Sequence, residues 1–162
     1  MKLGIGTAAL AGGVMIVVAS LAAAQSHQQR PSSPAPAASA DSRQLVRFPE
    51  PMRLHTIANM REHLESLHAI DVALSKGDFD EAASVAESSL GMSSLESHGA
   101  AHLAPYMPKG MQDIGTRMHR AASRFAVEAQ NASVSNDVKP ALAALGAVME
   151  QCVACHATYR LH

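Results

Sequence analysis

Apolar residues recur at steps of three and four through several stretches of this chain. Leu54, Ile57, Met60, Leu64, Leu67, Ile70 and Leu74 make the first stripe, with the period of an amphipathic helix. The pattern predicts a helix from Pro49–Met52 to about Lys76, with Pro51 suited to its first turn and Gly77 ending it. Asp78, with Glu81 three residues on, predicts a capped second helix. It would carry Phe79, Ala82, Val85, Ala86 and Leu90 and stop at Gly91. A short helix is expected from Ser93 or Ser94 to Leu103, before a loop marked by Pro105 and Pro108. A long third helix is expected from about Met111 to Asn131, with Ile114, Met118, Ala121 and Phe125 inward. Ser135-Asn136-Asp137 offers N-caps for a fourth, with Pro140 in its first turn. There Leu142, Leu145, Met149, Cys152, His156 and Tyr159 keep the three-four spacing. Four amphipathic helices with short links predict an all-α fold, an antiparallel four-helix bundle. No segment reads as a strand.

The N-terminal residues are patterned differently. Lys2, the apolar run Leu3 to Leu21, and Ala22-Ala23-Ala24 before Gln25 read as an export signal spanning 1–24. The run approaches the ~20 apolar residues that a membrane span needs, so an uncleaved anchor is the alternative. Either way the remainder is expected outside the cytoplasm, in the periplasm, with no span after cleavage. Ser26 to Asp41 is rich in Ser, Pro and Ala and lacks apolar periodicity. It reads as a flexible tether. The expected organisation is signal 1–24, tether 25–44 and helical bundle 45–162.

Composition narrows the function. Charged residues are 17% and the formal net charge is −1, which argues against the basic face of a nucleic-acid binder. Aromatics are 3% and Trp is absent. A helical core of Ala, Leu and Met leaves volume that a large flat cofactor would fill.

The chain has two cysteines, Cys152 and Cys155, followed at once by His156. C-x-x-C-H is the attachment signature of c-type haem. Two thiols three residues apart on a helical turn reach one neighbourhood, and the next residue offers an imidazole to the iron. Two other readings are weaker. A thioredoxin-type pair would lie between a strand and a helix, and a structural zinc site would need a second ligand pair.

The motif extends further. Cys152-Val153-Ala154-Cys155-His156-Ala157-Thr158-Tyr159-Arg160 fits C-x-x-C-H-x-x-Y-R on the last helix of a bundle. Over roughly Leu45 to His162 the chain resembles the class II c-type cytochromes, the family of cytochrome c-prime and its low-spin relatives. The resemblance implies one covalent haem c held by Cys152 and Cys155, with His156 as proximal ligand and Arg160 near a haem propionate. It implies a carrier of single electrons with transient redox partners, and possible pairing of two copies through the first two helices. The sequence itself shows no nucleophile, base or oxyanion arrangement for catalysis of bond-making.

In that family the far side of the haem faces the first helix, and low-spin members place a methionine there. The order of candidates here is Met60, then His63, then an open site. Met52 lies near the helix start, His55 off the stripe and His68 far along it. Thr56 stands where cytochrome c-prime often has an arginine, one turn before the distal residue. A Met ligand raises the potential and closes the iron to gases. An open site would instead make a five-coordinate protein that captures nitric oxide or carbon monoxide. A third expectation concerns His98 and His102, which would share a helix face and, with Met92, Met107, Met111, Met118 and His119 nearby, bind copper, zinc or nickel.

Overall fold

The computed structural model describes residues 41–162. The expected signal and the tether as far as residue 40 lie outside the described residues. The described part is all-α but for one two-residue strand pair. Helices α1 (Glu50–Ser75), α2 (Phe79–Ser89), α3 (Ala100–Leu103), α4 (Lys109–Ser135) and α5 (Lys139–Thr158) follow in order. Short 3-10 turns at Met92–Ser94 and Ala104–Tyr106 flank α3. In place of one helix from Ser93 or Ser94 to Leu103, this segment is a chain of turns broken at Gly99.

The helix ends are set by local chemistry. Asp78 caps α2 by accepting a hydrogen bond from the Glu81 backbone N–H at 3.2 Å. Gly77 ends α1 at φ +74°, the left-handed conformation that glycine adopts without steric cost. Pro140 occupies the first turn of α5, where its missing N–H costs nothing.

Packing runs in a chain: α1 on α2, α2 on α4, and α4 on α5. The core is built on alanine. Ala82, Ala83 and Ala86 of α2 meet Ala121, Ala122, Ala126 and Ala129 of α4, with Phe125, Ile70, Leu90 and Val148 filling the gaps. Small faces let helix axes approach closely, and Phe125 is the largest fully buried side chain.

Two expectations about faces are corrected, on α1 and on α5. On α1 the expected stripe is buried only in its C-terminal half, at Ile70, with Leu67 and Leu74 packed against the core. Leu54 and Leu64 are 54% and 69% exposed and Met60 is 37% exposed, whereas Thr56, Asn59 and Ser66 are buried. Asn59 bonds the carbonyl of His98 in the turn-rich segment after α2, whereas Thr56 and Ser66 satisfy their hydroxyls on Met52 O and Glu62 O of their own helix. On α5 Ala141 and Val148 are buried while Leu142 and Met149 are half-exposed. The small residue Ala141 and the compact Val148 fit the alanine face of α4 better than longer chains do. On α4 Met118, Ala121 and Phe125 turn inward as expected, with Ile114 only partly covered.

A further correction is at the chain ends. Gln44–Leu45 (β1) pairs in parallel with Tyr159–Arg160 (β2). Val46 N–H then donates to Arg160 O at 2.8 Å, and Val46 is buried. Residues 41–44 therefore belong to the folded unit and not to a free tether. Two-residue strands carry no sequence period, so alternation could not reveal them. Their consequence is topological: the segment leading into α1 is fastened to the end of α5.

Among the described residues α5 is the one helix long and apolar enough, by length and composition, to cross a membrane. Glu150, Gln151 and His156 interrupt its apolar run, and it lies along α4.

Candidate functional site

Cys152 and Cys155 lie in the last turns of α5, both as free thiols and both half-buried. Cys152 packs against the core cluster, and its Sγ lies 3.6 Å from Val148 O. Burial pushes both thiols up from their ordinary pKa; for Cys155 the neighbouring Cys152 adds to the rise. His156 follows on the same helix and is exposed. Its backbone carbonyl accepts from Arg43 Nη1 at 3.2 Å. Helix α5 ends at Thr158, and Tyr159 leaves it in extended backbone. The tyrosine hydroxyl lies against Gly110, where an added Cβ would come within 2.6 Å of it.

Arg160 is held by the β1–β2 pairing. Its Nε is buried without a hydrogen-bond partner, and Asp41 Oδ2 lies 3.8 Å away. Asp41 is taken up by Arg43, whose guanidinium binds it at 2.7 Å. That hydrogen bond holds the Asp41 pKa at about 2, with the Arg160 charge a smaller contribution. Arg160 thus has donor capacity that Asp41 does not satisfy.

On α1, Met60 belongs to the uncovered apolar stripe with Leu54 and Leu64. His63 is on a different, mostly buried face. Its ring centre is 4.7 Å from that of His98 and 6.3 Å from that of His119, and the His98–His119 spacing is 5.4 Å. His63 Nε2 is buried with no hydrogen-bond partner. Burial, then the charges of His98, His119 and His156, push the His63 pKa down to about 4. Burial also lowers that of His98.

The expected His98–His102 pair is not formed. His98 sits in a turn ahead of Gly99, which is left-handed at φ +65°, and α3 starts only at Ala100. His98 is 8% exposed and faces inward, whereas His102 is exposed. The turn is fastened to α1. Asn59 Nδ2 and His55 Nε2 both bond His98 O at 3.1 Å. A carbonyl only accepts, so His55 Nε2 carries a hydrogen.

His119 was legible only as one member of a diffuse His/Met set. In the fold its Nδ1 lies 2.8 Å from Leu90 O and 3.2 Å from Gly91 O. The proton is therefore on Nδ1, and in the neutral ring Nε2 is a free lone pair. Ser94, 1% exposed, sits 3.4 Å from Nδ1 of both His98 and His119. Beside His98 opens a cleft of about 430 Å³, lined by Glu62, Glu65, Ser66, Ala69 and Ser97 among others. This cleft is not at the two cysteines.

No protein-family model, no curated protein and no solved structure matches this chain.

Proposed function

We propose that this chain is an exported c-type cytochrome, a four-helix haem bundle similar to the class II cytochromes, that carries single electrons. The observation that carries the reading is the pair of free, half-buried thiols of Cys152 and Cys155 one turn apart, with His156 adjacent, on the end of α5 that leads into the β1–β2 pair. Helices α1, α2, α4 and α5 would be the bundle.

The residues fit a haem on three counts. The thiols are unpaired and adjacent to the core. Uncovered apolar side chains lie on α1 at Leu54, Met60 and Leu64 and on α5 at Met149 and Val153, so an apolar ring system between the helices would remove them from water. Arg160 keeps a buried Nε–H without a partner beside the motif, and a guanidinium suits a propionate. When bound, the haem supplies a one-electron iron couple whose potential depends on axial ligation and burial.

The chain's own part is to hold and tune that group. Cys152 and Cys155 would each add S–H across a vinyl group, sulfur to carbon and hydrogen to the neighbouring carbon. His156 would ligate from the α5 side. Met60 is the proposed distal ligand because it lies on the uncovered apolar stripe, while His63 is engaged with His98 and His119. Transient partners would meet the haem edge through a small interface.

The test is the visible spectrum of the haem-matured protein in both redox states, with and without carbon monoxide. A low-spin spectrum with a sulfur-to-iron charge-transfer band, indifferent to carbon monoxide and lost in Met60→Ala, is the expected result. A high-spin spectrum that shifts with carbon monoxide would replace the electron carrier with a five-coordinate gas-binding protein. Absence of covalent haem in a strain that matures c-type cytochromes would end both readings.

A further inference from the structure

We infer that His63, His98 and His119 form a binding site for one divalent late first-row metal ion, zinc or copper, separate from Cys152, Cys155 and His156. This inference does not rest on the haem reading. The three residues come from α1, from the turn before α3 and from α4, so only the fold assembles them.

Three imidazoles on one tetrahedral ion, at metal–nitrogen distances of about 2.0–2.1 Å, hold their ring centres roughly 5 Å apart. The observed spacings are 4.7, 5.4 and 6.3 Å. Rings packed for apolar contact alone would not leave a buried nitrogen unpaired, because that costs about 1–3 kcal/mol. Yet His63 Nε2 is buried without a partner. A metal ion accepts that lone pair and removes the penalty.

Outer partners already set the protonation that ligation needs. His119 Nδ1 donates to Leu90 O at 2.8 Å, leaving Nε2 to bind. That is the backbone-carbonyl arrangement that orients metal-bound imidazoles. Ser94 Oγ lies against Nδ1 of His98, which leaves the other nitrogen of that ring free. Asn59 and His55 fix the His98 backbone through its carbonyl. The lowered proton affinity of His63 and His98 keeps both rings neutral at pH 7, the form that ligates.

No group of three or more His, Cys, Asp or Glu among the described residues is already set to hold an ion. Closing the set requires the His63 and His98 rings to turn while His119 Nδ1 keeps Leu90 O, and the 6.3 Å His63–His119 spacing to shorten as the ion binds. The cleft beside His98 is edged by Glu62 and Glu65, whose carboxylates attract a cation. Three protein ligands leave a fourth position for water.

The experiment is titration of the full chain bearing Cys152→Ser and Cys155→Ser, so that thiols cannot compete, with Zn²⁺ by calorimetry and Co²⁺ by absorbance. One equivalent should bind, with the visible bands of tetrahedral nitrogen-ligated Co²⁺. His63→Gln and His119→Gln should each lose about 10- to 100-fold in affinity or more, the range that removing even an outer partner costs. His102→Gln and His68→Gln should bind as the parent does. Nitrogen-15 spectra of the unsubstituted histidines give a readout free of folding effects. His119 should be metallated at Nε2 while Nδ1 keeps its proton. No saturable binding, binding unchanged in His63→Gln and His119→Gln, or a response confined to other histidines would overturn the site. The haem reading would stand untouched in each case, because its readout is the spectrum of the haem-matured chain.

Discussion

The side-chain amide of Asn59 on α1 donates to the backbone carbonyl of His98 at 3.1 Å. One buried polar residue thereby ties a helix to a turn 39 residues away. Asn59 is 5% exposed, so water cannot replace it. Asn59→Leu should lower stability by about 1–3 kcal/mol, the cost of a lost buried partner. Urea unfolding followed by circular dichroism measures it. A loss within about 0.5 kcal/mol, typical of surface sites, would mean that His55 alone holds the carbonyl.

Gly99 allows the reversal that turns His98 inward. It is left-handed at φ +65°, and an added Cβ would lie 3.2 Å from His55 Nε2. Gly99→Ala should cost the left-handed penalty of roughly 1–2 kcal/mol and also crowd His55. Gly77, at φ +74°, has nothing within 4 Å of an added Cβ. Gly77→Ala should therefore show the backbone cost alone. A comparison of the two melting temperatures isolates the His55 contact, and equal shifts would argue that His55 moves aside freely.

His63 makes metal-free stability depend on pH. Its folded pKa of about 4 is below the ordinary 6.5. The unfolded chain therefore takes up this proton first as pH falls. Stability is complete above pH 6.5 and is lost between there and about 4. At roughly 1.4 kcal/mol per unit, less the discount for partial exposure, the loss is on the order of 2–3 kcal/mol. Urea midpoints at pH 7.5, 5.5 and 4.5 should fall steeply for the parent and less for His63→Gln. Parallel curves would assign the slope to other groups.

Burial holds the Cys152 and Cys155 thiols above their ordinary pKa, so little thiolate is present at neutral pH. Haem-free protein should react with iodoacetamide more slowly than a cysteine peptide at pH 7.5, and at the peptide's rate once unfolded in urea. Mass spectrometry over time reads both sites. Fast modification in the folded state would mean that the end of α5 opens locally.

The amino-acid sequence by itself determined four of the helices and several of their ends, but not the turns at 92–106, nor that Ser135 and Asn136, expected to cap α5, close α4 instead. The three-four period of α1 and α5, the Asp78 cap, the Gly77 stop and Pro140 at a helix start are local effects, and each acts through near neighbours in the chain. Cys152-Val153-Ala154-Cys155-His156 was legible for the same reason, since its chemistry is written within five consecutive residues. Which face of each helix is buried was decided only by the fold. In the N-terminal half of α1 the buried face is the polar one: Asn59 bonds the His98 carbonyl of the turn, and Thr56 and Ser66 bond carbonyls of their own helix, while Leu54, Met60 and Leu64 stay exposed. The β1–β2 pairing and the meeting of His63, His98 and His119 were equally invisible. Both join residues distant in sequence through backbone bonds and close packing, and neither leaves a period or a spacing in the chain.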